Sequence, residues 1–410
     1  MRPVEAGMAG IIEDGQREAR LRSVAGAARR ERVGEKGSAA RQQARRAVAA
    51  VGLVFAAGCS GFFVYPGSTG TGTGGSATGD YVYVANATTS TVSGFSVGTG
   101  TLTAVANSPY ALPVSPTAIA ITPANSIVYV AGGTAIYAYA IESGGVLSAL
   151  NSGSPVAAAT VVALDVSPDG QWLFALDQNG STIEEYQINS STGGLTSQTT
   201  SYAAGGTVVP RAIKVSPNGQ FVFVALGTAG DLIYPFNTAS GGLSSPLQLS
   251  QQAGTSDNAL AISAGSTYLF IARSGTGGGL AVYSIGLGGA LSEVTGSPFA
   301  AGTQPFSVAV NKAGTDVYLA NQLDGTISGF SIGSNGALTA LTGSPYSSGS
   351  AVTALAIDNS GNYLLAAARN GAPDLSLYSF DPSTAGKLDF TASTATGTDP
   401  TLPVALATTH

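Results

Sequence analysis

Short runs of alternating apolar and small residues recur from about residue 81 to residue 410. Such period-two alternation over four to eight residues predicts β-strands. One run returns again and again: 118–123 (AIAITP), 163–168 (ALDVSP), 212–217 (AIKVSP), 259–263 (ALAIS), 307–311 (SVAVN) and 354–358 (ALAID). The anchors Ile119, Leu164, Ile213, Leu260, Val308 and Leu355 lie 45, 49, 47, 48 and 47 residues apart. A tight turn follows each run, as in 168–170 (PDG), 217–219 (PNG) and 359–361 (NSG), with the Gly or Asn that positive-φ positions demand. A bulky second strand comes next (128–130 VYV, 172–174 WLF, 221–224 FVFV, 317–319 VYL). The third is marked by an aromatic (136–139 IYAY, 183–186 IEEY, 327–330 ISGF). A short fourth opens on Gly194-Leu195, Gly242-Leu243, Ala290-Leu291 or Ala337-Leu338.

A near-constant period of this length, built of four short strands, predicts an all-β fold of propeller blades. Residues 80–113 hold only the last three strands of a unit. Residues 403–409 (PVALATT) form an orphan first strand matching 116–122 (PTAIAIT). Joining the two completes a seventh unit, so residues 80–410 are expected to form a seven-bladed β-propeller closed by pairing of its amino- and carboxyl-terminal segments. Closure removes an open sheet edge.

Composition changes the picture ahead of residue 80. Eleven of the 17 Lys and Arg lie in residues 1–46; from Cys59 onward six bases face 17 acids, a net of −11. Such a surface opposes nucleic-acid binding, which needs cations to displace counterions. Arg45-Arg46 precede the uncharged run 47–57, and Gly58-Cys59-Ser60 follows. That order of charge, apolar stretch and small residues is the layout of a secretory signal. Cys59 is the sole cysteine, so no intramolecular disulfide can form. Residues 56–59 (AAGC) resemble the lipobox of bacterial lipoproteins, which implies diacylglyceration of Cys59 and cleavage before it. An uncleaved signal anchor over 47–65 is the other reading. Residues 1–58 are thus expected to be a leader and lipoprotein signal, 59–79 a lipidated Cys and flexible Gly/Ser/Thr tether, and 80–410 the propeller. The expected location is the bacterial cell envelope, periplasmic or outer-membrane.

Residues 82–86 (VYVAN) followed by 91–97 (TVSGFSV) are similar to the YVTN-type propeller repeat. The cadence across all repeats resembles the seven-bladed lactonase family, typified by 6-phosphogluconolactonase. The resemblance implies a Pro-Arg-His at the start of a first strand and an acid just past the next strand. Here Pro210-Arg211 match, Ala212 replaces the histidine, and 224–227 (VALG) hold no carboxylate, the nearest being Asp231.

Loops joining second to third and fourth to first strands gather on one face of a propeller. This places Asp177, Arg211, Asp231, Asp257, Arg273, Asp324, Arg369 and Asp374 there, and Lys312 and Lys387 on the opposite face. Three arginines could clamp a carboxylate or phosphate, or could pair with neighbouring aspartates. His410, the lone histidine, reads as a loose end rather than a general base, so no Ser-His-Asp arrangement is available elsewhere. No cofactor is expected, and no metal site is assigned, although residues 177–180 and 321–325 carry oxygens of a kind Ca²⁺ accepts. Trp172 and the blade tyrosines read as packing residues. The expected role is a monomeric envelope module binding a protein, glycan or small anionic ligand and held to the membrane by its lipid. Lactone hydrolysis, implied by the resemblance, is the alternative.

Overall fold

The computed structural model describes residues 79–178, 182–198, 202–203, 208–369, 371, 373–397 and 405–410. The chain divides into residues 1–70 and 71–410, and every described residue belongs to the second unit. Cys59, the leader and nearly all of the tether lie outside the described residues.

Seven antiparallel sheets make up this unit. Six take their strands in chain order. Blade 1 runs Pro116–Ile121, Ile127–Gly132, Ala135–Ile141 and Leu147–Ala149; blades 2 to 6 begin at Val161–Val166, Ala212–Val215, Thr255–Ile262, Pro305–Val310 and Val352–Ile357. Blade 7 comes from both ends of the propeller: Ala405–Thr408 lies beside Tyr81–Asn86, followed by Thr91–Gly98 and Thr101–Ala104. Val82 faces Thr408, Tyr83 faces Ala407, Val84 faces Leu406 and Ala85 faces Ala405. The first strands touch in ring order from blade 1 to blade 7 and back to blade 1. The fold is the seven-bladed β-propeller that the repeats predict.

One side-chain bond explains why each first strand stops where it does. Thr122, Ser167, Ser216, Ser263, Asn311 and Asp358 accept the N–H five residues on, from Ile127 (3.1 Å), Trp172 (2.9 Å), Phe221 (2.9 Å), Tyr268 (2.9 Å), Asp316 (3.1 Å) and Tyr363 (2.7 Å). The side-chain oxygen fixes the turn by taking the leading donor of the second strand. At the seam the same bond joins the two ends: Thr409 Oγ1 accepts from the Tyr81 N–H at 2.9 Å, and the Thr409 N–H donates to the Tyr81 carbonyl at 2.9 Å. The ring is therefore closed within a turn whose chemistry is preserved.

The second strands are buried along their length because each is flanked by strands within its blade and by blades on both faces; Tyr81–Asn86, Ile127–Gly132 and Asp316–Asn321 have no exposed residue. Tyr83, Tyr129 and Tyr318 donate their hydroxyls to Gly145, Gly193 and Gly386 in the neighbouring blade (2.7, 3.2 and 2.7 Å). Trp172 does the same with its Nε1, to Thr238 at 2.9 Å. These aromatics pack blade against blade, as the sequence suggests. Asn86 and Asn321 close the second strands of blades 7 and 5 by donating to Thr91 and Ser93, and to Thr326 and Ser328. This accounts for the recurring Asn…Thr-x-Ser spacing.

One element differs from expectation. In blade 3 the fourth strand is Leu247–Leu249, and Leu243 lies outside it, in an isolated bridge with Phe236. Pro235 has no N–H to offer the ladder between those two points.

Candidate functional site

The centre of the ring is an open cavity of about 470 Å³, lined by first-strand residues of all seven blades. That size falls in the range of small-molecule sites, about 300–1,000 Å³. What points into it is set by a repeated irregularity. In blades 1, 2, 4, 5 and 6 the pairing of first and second strands skips one residue: Thr117, Val162, Asn258, Phe306 and Thr353. In blade 3 the Arg211 N–H bonds the Ala225 carbonyl at 2.9 Å although Ala225 is opposite Ala212, so Arg211 holds the equivalent place. A bulge re-aims the side chain it carries. All six of these residues line the cavity.

Arg211 is the charged member of this ring. It is exposed, and its guanidinium forms no ion pair with a described residue. The other cation lining the cavity, Lys214, is paired with Asp165 at 3.2 Å, and that carboxylate also accepts the Val215 N–H at 2.7 Å. Thr117 donates to the Val161 carbonyl (2.5 Å) and Asn258 to the Pro305 carbonyl (2.8 Å), stitching first strands of adjacent blades. No acid and no histidine is among the described residues lining the cavity.

The remaining candidates fall elsewhere. Arg273 and Asp257 are 2% and 1% exposed and form a bidentate pair, Nε to Oδ1 at 2.7 Å and Nη2 to Oδ2 at 2.8 Å. This guanidinium is committed to a carboxylate between blades 3 and 4 and is not presented at the mouth. Asp231 joins that pair rather than the channel. Its two carboxyl oxygens are buried, with the Leu226 backbone N–H and the Asp257 carboxylate as their polar neighbours. Burial first, and then the charge of Asp257, hold its carboxyl well above the usual range. Both effects favour the protonated form of Asp231, which would give its carboxyl a proton to donate toward Asp257.

Asp177 accepts from Thr160 Oγ1 at 2.7 Å, and the exposed Asp324 takes the Thr303 N–H at 2.5 Å. Asp374 is buried against Thr396, whose N–H it accepts at 2.7 Å, and Arg369 is half-buried. These four hold separate positions in blades 2, 5 and 6. His410, expected to be loose, is pinned instead: its N–H and carbonyl both bond the Asn125 side chain (2.8 and 3.0 Å). Its Nε2 reaches the Ile121 carbonyl at 3.3 Å, beside the turn that ends the first strand of blade 1 and far from the Arg211 end. Burial lowers its ring pKa.

The sequence reading passed over Asn258, Phe306, Thr117 and Thr353. Their common signal is a position two residues before each anchor, where the repeat changes chemistry from Thr to Val, Arg, Asn, Phe and Thr.

Seven blades, ends joined in one sheet and a central cavity ringed by bulged residues define the class: this chain is a seven-bladed β-propeller. Residues 76–253 match the family described as lactonase, 7-bladed beta-propeller. No curated protein matches in sequence. Among solved structures, a candidate 6-phosphogluconolactonase from Bacteroides uniformis superposes with a TM-score of 0.67 at 18% identity, covering 80% of this chain and 99% of that one. A comparable protein from Bacteroides fragilis gives 0.66 at 16%, with 81% and 98% covered. The periplasmic gluconolactonase PpgL of Pseudomonas aeruginosa gives 0.65 at 16%, with 81% and 99% covered. At these identities the likeness is one of fold.

Proposed function

We propose that this protein hydrolyses a small lactone in the central cavity, with Arg211 as the electrophilic group. The observation that carries the reading is the placement of Arg211: exposed, aimed inward by a bulge, and unpaired with any described carboxylate. In lactone hydrolysis water adds to the ring carbonyl, the carbonyl oxygen takes negative charge, and the ring C–O bond breaks as that oxygen gains a proton. A guanidinium beside the developing oxyanion favours that state over the neutral substrate. No acid or histidine is among the described residues lining the cavity, and the nucleophile in this reading is water or hydroxide supplied by solvent. The names of the structural relatives support the substrate class. Export and lipid attachment through Cys59 remain part of the proposal, with the enzyme on the outer side of a membrane.

Arg211→Met should lower kcat/KM for glucono-δ-lactone by about 10²-fold, the order seen when an oxyanion donor is lost, without shifting the melting temperature. A purified protein that never outpaces spontaneous lactone opening would end the hydrolase reading. Ala212, in place of the histidine implied by the family resemblance, favours a second reading. In that case the cavity binds an anionic ligand without turning it over.

A further inference from the structure

Phe306 is the one aromatic among the described residues lining the cavity. It is half-buried and belongs to neither of the core clusters that blade 5 shares with its neighbours: Val308, Val317, Leu319 and Phe330 pack on one side, Ala309, Tyr318 and Ala320 on the other. Leaving a phenylalanine partly in water forgoes much of the ~1.5–3 kcal/mol that full burial supplies. The equivalent bulges carry Thr or Val in blades 1, 2 and 6, so the scaffold does not require an aromatic here. In ring order Asn258 stands between Phe306 and Arg211, which puts an apolar ring and a cation on the same side of the mouth.

We propose that Phe306 is a specificity-determining platform that stacks on the C–H face of a saturated five- or six-membered ring, while Arg211 holds that ligand's anionic or carbonyl oxygen. The negative π-face of the aromatic complements the weakly positive C–H groups of such a ring. An acyclic acid of the same charge has no face to present. The inference extends the cavity reading above but is independent of turnover, because it concerns binding alone.

The test is calorimetric titration of the intact protein with D-glucuronate, a cyclic hexose acid, and with D-gluconate, an open-chain hexose acid of the same charge. The wild type should prefer glucuronate. Phe306→Ala should weaken glucuronate at least tenfold and gluconate less than twofold, whereas Phe306→Tyr should keep the preference and Arg211→Met should weaken both. Melting temperatures should stay within a degree or two of wild type, since Phe306 is in no core cluster. Equal loss for both acids in Phe306→Ala, no loss for either, or a wild type without measurable glucuronate binding would each overturn the proposal. Retained glucuronate preference without lactone turnover would sink the hydrolase reading and leave the platform standing.

Discussion

Replacing Arg273 with methionine asks whether the charge buried between blades 3 and 4 is balanced in the way the geometry indicates. Arg273 and Asp257 are almost wholly withdrawn from solvent and joined by two bonds of 2.7 and 2.8 Å. Asp231 adjoins them, and burial with the charge of Asp257 favours its protonated form, which would leave one anion and one cation in the group of three. Methionine roughly preserves volume but leaves the Asp257 carboxylate without its counter-ion. Breaking a buried pair in this way costs about 3–5 kcal/mol. A ring of ~330 residues has an unfolding entropy near 0.7 kcal/mol/K, so the melting temperature should fall by ~4–7 °C. Pairing the change with Asp257→Leu removes the stranded anion and should restore most of the loss, because an apolar substitute for a buried pair is close to neutral. Differential scanning calorimetry of both variants at pH 7 decides. A single variant melting within a degree of wild type, or a double variant no better than the single, would refute the charge assignment. Asp231→Asn gives an internal check. A carboxyl whose folded pKa is raised contributes stability that is fully present below about pH 4 and is lost as pH rises through its folded pKa. The Asn variant should therefore gain on wild type as pH is raised above 4.

Deleting residues 405–410 removes the four paired residues of blade 7 and the Thr409 cap, exposing or stranding backbone groups of a fully buried strand. At ~1–3 kcal/mol for each unsatisfied buried group the loss rivals a typical net stability of ~5–15 kcal/mol; cooperative melting should disappear, and an unfolding transition close to wild type would contradict the closure. A second effect concerns pH at the same seam. Asp80 precedes the first residue of that strand, and its carboxylate and that of Asp358 both accept the Ser360 N–H (3.0 and 3.2 Å). Burial, with the neighbouring Asp358, pushes the Asp80 pKa up to about 7. Since the folded pKa is raised, the contribution of Asp80 is complete below about pH 4 and gone above about pH 7. Amide exchange in Tyr81–Asn86 should therefore be slower at pH 5 than at pH 8 after correction for intrinsic rates, and Asp80→Asn should remove the difference; parallel profiles for the two proteins would exclude the effect.

How much of this was legible beforehand follows from the range of the forces involved. Strand type, turn position and the seven-fold count were readable because side-chain alternation and turn chemistry act over two to six residues. The closure was readable because two incomplete units, one at each end of the same repeat series, have a single way to complete each other. Loop position placed Arg211, Arg273, Asp231 and Asp257 on one face, yet it said nothing about direction. Asp257 and Asn258 are neighbours in the chain; one is locked between blades and the other points into the cavity. That difference arises from a one-residue slip in the ladder, which depends on the partner strand; along the chain it shows only as a position two residues before each anchor whose residue type varies from repeat to repeat. The same slip singles out Arg211 and Phe306. The chemistry of each blade is thus written along the chain, whereas the choice of which side chain meets a ligand and which is sealed away is made only when neighbouring sheets pack and their registers are set.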